Sequence, residues 1–169
     1  MTREDFWDQI DTARSAAMFD RARLAEALRD ELLELDEDEV LEFARHFADC
    51  RVESYRQELF AAAWIAGGGA AEDDFSDFRD WLITLGREAF DDVLHDPQRI
   101  LNHADPVELR DPFDRAVGRV PAEAYEELTG EPLPSDSLRP HPREPTGRKW
   151  DPAGLPRRYP KLWRAYNPE

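Results

Sequence analysis

The sequence predicts an all-α protein: one helical, bundle-like domain, then short proline-initiated helices, then a proline-rich C-terminal tail. Three observations predict it. Long stretches before residue 96 carry apolar residues at alternating three- and four-residue spacings, the period of one helix face. No stretch alternates at period two for long enough to suggest a sheet. Between residues 96 and 112, proline recurs directly after Asp at three positions, the pattern of a cap followed by a first helical residue.

Residues 3–18 form the first expected helix. Phe6, Ile10 and Ala13 or Ala17 share a face, Trp7 adjoins it as a core anchor, and Thr2 with Asp5 makes a capping box. Residues 20–35 follow, with Leu24, Ala27, Leu28, Leu32 and Leu35 as the stripe and Asp30 and Glu31 towards water. Asp36 caps a third helix, with Glu39 in the reciprocal position. That helix carries Val40, Phe43, Ala44, Phe47 and Ala48 and extends through Tyr55 and Leu59 towards Ala66. Its apolar phase drifts between Cys50 and Ser54, which predicts a bend or break there. Ala61 to Ala63 are small enough for another helix to approach. Trp64 and Phe60 are expected to pack on the fourth helix. Gly67 to Gly69 end the third, since glycine takes the left-handed conformation of a C-cap.

The fourth helix has Phe75, Phe78, Leu82, Leu85 and Ala89 on one face, widened by Trp81 and Phe90. Glu72, Asp73 and Asp74 sit at its start, where carboxylates meet the positive end of the dipole, and Asp73 or Asp74 is the expected N-cap. Gly86 reads as a point of close backbone approach inside this helix, which stops near His95 because Pro97 disfavours helix before it. Short helices are expected near residues 97–103, 106–110, 112–117 and 121–129, with Gly130 ending the last. The domain is therefore residues 1–130. Residues 131–169 hold 9 of the 13 prolines and read as extended and poorly ordered up to 148. Trp150, Leu155, Tyr159, Leu162, Trp163 and Tyr166 then predict a tail that docks back on the domain.

The stretch joining the third and fourth helices reads WxxGGG, an acidic pair, then FxDFRxWLIxxGRxxF. It resembles a bacterial domain of unknown function, DUF4240. The resemblance extends to FWDQID at residues 6–11 and to Asp96–Pro97, and continues through YEELTGEPLP and RRYPKLW. It implies a helical fold and bacterial origin and supplies no reaction. The family's hinge reads closer to GG-C/S-SDD-x-F. Here Gly or Ala stands where the family has Cys or Ser, which removes a nucleophile from that loop.

At 169 residues the chain has length for one core. A single cysteine, Cys50, forms no intramolecular disulfide, and the first residues lack the apolar core of a signal peptide. No run approaches the roughly 20 apolar residues of a membrane helix. A cytoplasmic protein is the expectation. Residues 131–169 hold 8 Lys/Arg and 5 Asp/Glu, net +3; the whole chain is −16, which leaves −19 on residues 1–130, where every cation is Arg. Such a field repels nucleic-acid phosphates and anionic membranes and favours a basic protein partner.

The candidate site is the acidic cluster Glu72, Asp73, Asp74 and Asp77. Asp73 and Asp77 are i, i+4 neighbours, and hard cations such as Mg²⁺ or Ca²⁺ take oxygen ligands. The spacing is not that of an EF-hand. Solvated capping acids, a partner-binding patch and a metal site all fit it. No cofactor is expected otherwise. Arg79 and Arg87 follow as ion-pair partners for the acidic surface or as anion-binding residues. Trp7, Trp64 and Trp81 are structural anchors. His46 and Cys50 share a face, but two ligands do not make a zinc site. The glycine run lacks the GK[ST] ending of a phosphate loop. The expected function is a non-catalytic acidic adaptor or inhibitor that binds a basic protein. The alternative is a divalent-cation-dependent enzyme built on residues 72–77. Carboxylates in two rows spaced like DNA phosphates would make a third.

Overall fold

The computed structural model describes residues 1–106 and 115–168. The fold is all-α. Its helices are α1 (Arg3–Ala16), α2 (Leu24–Leu33), α3 (Glu37–Glu53), α4 (Gln57–Gly67), α5 (Glu72–Thr84), α6 (Arg87–His95), α7 (Val120–Thr129), α8 (Leu155–Arg158) and α9 (Pro160–Tyr166). Short 3₁₀ turns join several of them. The expected helices at 106–110 and, for most of its length, 112–117 lie outside the described residues. No β-strand occurs among the described residues; Arg56 and Thr146 make one isolated parallel bridge.

The capping boxes form as the sequence predicts. Thr2 and Asp5 exchange bonds at the start of α1, and Asp36 and Glu39 do so at the start of α3. The core gathers the apolar faces of α1 to α7. Phe6, Ile10, Leu28, Leu32, Phe43, Phe47, Phe75, Phe78 and Phe90 are each under 2 % exposed or nearly so. Each such side chain contributes about 1.5–3 kcal/mol on leaving water. Trp7 lies against Phe6 and Phe90, with ring centroids 4.8 and 5.4 Å away. Trp81 is buried beside Phe78. α7 packs on both α2 and α3, and α4 packs on α5 and α9.

The third predicted helix divides into α3 and α4. Ser54 bonds back to the carbonyls of Cys50 and Arg51 and ends α3, and Arg56 is extended. The fourth divides as well. A single helix through Gly86 was expected, but α5 stops at Thr84, whose hydroxyl bonds the Trp81 carbonyl at 2.6 Å. Gly86, at φ 92°, ψ 172°, then opens α6. The close approach is real but involves side chains of α1: a Cβ on Gly86 would lie 2.8 Å from Asp11 Oδ1 and 3.0 Å from Arg14 Nη1. Phe60 stacks on Phe75 of α5 as expected, with centroids 4.6 Å apart. Trp64 faces Trp150 of the tail instead.

Residues 138–150 cross the α3–α4 break without helix, and Thr146 makes the bridge to Arg56. Beyond them Leu155, Tyr159, Leu162 and Tyr166 are buried with the core of the domain.

Candidate functional site

Three of the four carboxylates of the hinge cluster point to different partners. Ala71 takes the N-cap position of α5, so neither Asp73 nor Asp74 caps it. Asp74 instead accepts from the Ala71 amide at 2.9 Å, from the third helical position. Glu72 accepts from the Tyr55 hydroxyl at 2.6 Å. Asp77 accepts from Arg115 at 3.0 Å, and its side chain is 16 % exposed. Burial pushes the Asp77 carboxyl above its ordinary value, and the Arg115 charge opposes that shift. Asp73 is exposed on the rim of the same cleft, a space of about 390 Å³ also lined by Arg51, Ser76, Asp80, Gly118 and Arg119. Among the described residues, no three His, Cys, Asp or Glu side chains gather as metal ligands.

The residues that α5 turns inward are more organised, and residue spacing gave little sign of them. Asp80, 4 % exposed, receives Arg51 in a two-pronged bond at 2.6 and 2.7 Å. Arg51 also donates to the Gly118 carbonyl at 3.0 Å. Gly118 lies so close that a Cβ there would fall 2.1 Å from Asp80 Oδ2. The Arg–carboxylate fork is what carries this acid inside.

Arg79 was expected to form an ion pair at the surface. It is 3 % exposed and pairs with no carboxylate among the described residues. Its guanidinium lies 4.6 Å from the Tyr55 ring centroid and 4.9 Å from that of Phe75, a cation–π arrangement that replaces part of the lost hydration. Nη1 donates to the Arg51 carbonyl at 2.7 Å and meets His141 Nε2 at 2.9 Å, while Nε is buried without a hydrogen-bond partner. Burial pulls the Arg79 guanidinium below its ordinary value. Burial, then the bond to Glu72, raises the Tyr55 hydroxyl to about 12. Arg87 is exposed on α6, 3.6 Å from Asp91. Burial pushes Cys50 up to about 12, and His46 turns away from it to the Met1 carbonyl, so the two do not form a nucleophilic pair.

A second exposed acidic surface lies at the α2–α3 turn. From Asp30 to Glu42 the chain has eight carboxylates and no cation. Glu34, Asp36, Glu37, Asp38 and Glu39 are exposed at the α2–α3 turn. α7, packed on both helices, adds the exposed Glu123, Glu126 and Glu127, of which Glu127 pairs with Arg29. The uninterrupted run was the available signal.

Residues 1–127 match the family described as protein of unknown function (DUF4240). The chain belongs to that family. No curated protein and no solved structure matches it. The DUF4240 match takes in the glycine hinge, the acidic cluster and the Arg51–Asp80 fork, and it stops within α7, ahead of the segment that bears His141. No helix among the described residues is long and apolar enough to cross a membrane.

Proposed function

We propose that the protein is a non-catalytic interaction protein, an adaptor or an inhibitor, whose acidic body binds a basic protein partner. The observation that carries this reading is the unspent negative charge: −19 on residues 1–130, with an exposed carboxylate face at the α2–α3 turn. The divergence of Glu72, Asp74 and Asp77 to separate partners supports it over a reading in which the four acids of the cluster jointly hold a cation. Clustered like charges speed encounter with an opposite partner and make binding depend on salt.

The test is affinity capture on the immobilised chain, followed by titration of each purified partner. The expected partner is strongly basic, binds at low salt, is released by about 0.5 M salt, and is lost by the Glu34→Lys/Glu37→Lys/Asp38→Lys variant. A partner held equally by the charge-reversed chain contradicts the proposal. So does a melting temperature raised several degrees by Mg²⁺, Mn²⁺ or Ca²⁺ at matched ionic strength, if that rise disappears in Asp73→Ala/Asp74→Ala/Asp77→Ala.

A further inference from the structure

Residues 139–150 have the sequence RPHPREPTGRKW, four Lys/Arg against one Asp/Glu, so this strap alone accounts for the tail's net +3. It lies across the break between α3 and α4. The break leaves two backbone groups without an intrahelical partner, the Tyr55 carbonyl and the Gln57 amide that opens α4, and such groups need partners. Thr146 takes both: its amide donates to Tyr55 O at 3.0 Å and its carbonyl accepts from Gln57 N at 2.7 Å. Those two bonds are the addition of an extended segment to an exposed backbone edge. Side chains fill places on either side. His141 covers Arg79 and sits 4.4 Å from the Tyr55 ring. Gly147, at φ 98°, passes over Glu58, where a Cβ would be 2.7 Å from the carboxylate. Trp150 packs on Phe60 and Trp64 at 5.7 and 5.8 Å. Arg139 lies 3.8 Å from Asp49.

The strap is an imperfect occupant. Arg79 Nε and Trp150 Nε1 are both buried without a hydrogen-bond partner, and a buried donor left unsatisfied is costly. Most strap residues are exposed. The strap is anchored at its far end by the buried Leu155, Tyr159 and Leu162, so it can lift without the loss of α9. Its prolines at 140, 142 and 145 hold it extended whether docked or free.

We propose that the groove formed by Tyr55–Gln57, Glu58, Phe60, Trp64 and Arg79 is a peptide-binding site, and that an extended, basic, aromatic-bearing segment of a partner protein enters it by displacing the strap. This deepens the acidic-body reading, since the strap is the chain's own basic peptide seated on its own acidic body. A partner segment must present a backbone amide and carbonyl to Tyr55 and Gln57, a cation towards Asp49, a glycine over Glu58, which Arg158 already pairs, and a flat apolar side chain to Phe60 and Trp64.

The probe is a fluorescent peptide with the sequence of residues 139–151, titrated against full-length chain by anisotropy. Thr146→Pro/Gly147→Val removes the strap's amide donor and forces a Cβ against Glu58, so it opens the strap and leaves the groove intact. Faster tryptic cleavage at Arg143 and Arg148 reports the opening. The expected result is at least tenfold tighter peptide binding to the opened chain, because a competitor that occupies the site weakens apparent affinity by its occupancy. Gln57→Pro in the opened chain deletes one amide at a helix position where proline is tolerated, and it should return the affinity to the wild-type level. Peptide binding that is absent in a demonstrably opened chain, or equal in both chains, overturns the proposal. Dimerisation of the opened chain that the peptide cannot reverse also overturns it, in favour of a second copy's strap. Capture of a basic partner through the α2–α3 face alone would overturn the groove while sparing the acidic-body reading.

Discussion

At the scale of single residues, Asp80 decides whether Arg51 is tolerable. The carboxylate is nearly enclosed and the guanidinium is 33 % exposed. Removing the charge with Asp80→Asn leaves the Arg51 guanidinium without its carboxylate, with the Gly118 carbonyl as its remaining partner there. Breaking a buried pair costs about 3–5 kcal/mol; the partial exposure of Arg51 places the expected loss near the lower figure, about 3 kcal/mol, read from urea unfolding. His141 gives a pH dependence. Burial, then the charges of Arg79 and Arg51, holds its imidazole below the ordinary 6.5, opposed by its bond to the Pro142 carbonyl and by Glu72. With Nδ1 bonded to Pro142 O, Nε2 accepts from Arg79; a proton on Nε2 would set two donors face to face. The folded chain thus binds this proton less readily than the unfolded one. The stabilisation is complete above pH 6.5 and is lost as the pH falls through the depressed folded value. The stability difference between wild type and His141→Gln should therefore shrink from pH 7.5 to pH 5; a difference that stays level or grows would refute the assignment. Arg79 and His141 also mark where the sequence ran silent. Phe75 lies one turn back on α5, but nothing in that helix says that an arginine beside two acids turns inward, because the second ring, Tyr55, comes from the α3–α4 break and the His141 cover from beyond α7.

At the scale of elements, the chain's own punctuation was readable. The boxes at Thr2 and Asp36, the stop at Gly130 and the proline-opened turn at Pro97 all follow from local chemistry, where a side chain answers an amide two or three residues away. Gly86 was misjudged because a helical stripe continued past it; Phe78, Leu82 and Ala89 keep phase across a break that tertiary packing imposes. Its φ of 92° with ψ of 172° belongs to a region that is essentially confined to glycine, with a cost of about 1–3 kcal/mol for other residues. Gly86→Ala should lose about 2 kcal/mol, measured by chemical denaturation. A neutral or stabilising result would mean that α5 and α6 prefer to be one helix. The α3–α4 break was visible as a phase drift near Ser54. What fills it was not, since a segment some 90 residues away supplies the bonds.

At the scale of the whole molecule, charge dominates. A net −16 on 169 residues repels itself, and salt screens that repulsion over a Debye length of about 8–10 Å at physiological strength. The melting temperature should rise by a few degrees between about 20 mM and 300 mM NaCl. A fall would show that the attractive pairs, such as Arg29–Glu127 and Arg51–Asp80, outweigh the repulsion. The strap adds a consequence in time. The packing of α7 on α2 and α3, the bond from Thr146 to Tyr55 and the bond from Arg45 to Ser137 all join distant parts of the chain, the last two across 91 and 92 residues. Long loops form slowly because their closure entropy must be met before any contact rewards it. During synthesis the N-terminal part emerges first, so α1 to α7 can meet with Tyr55, Trp64 and Arg79 uncovered before residues 139–150 follow. For that interval the nascent protein presents the same open surface that a displaced strap would reveal.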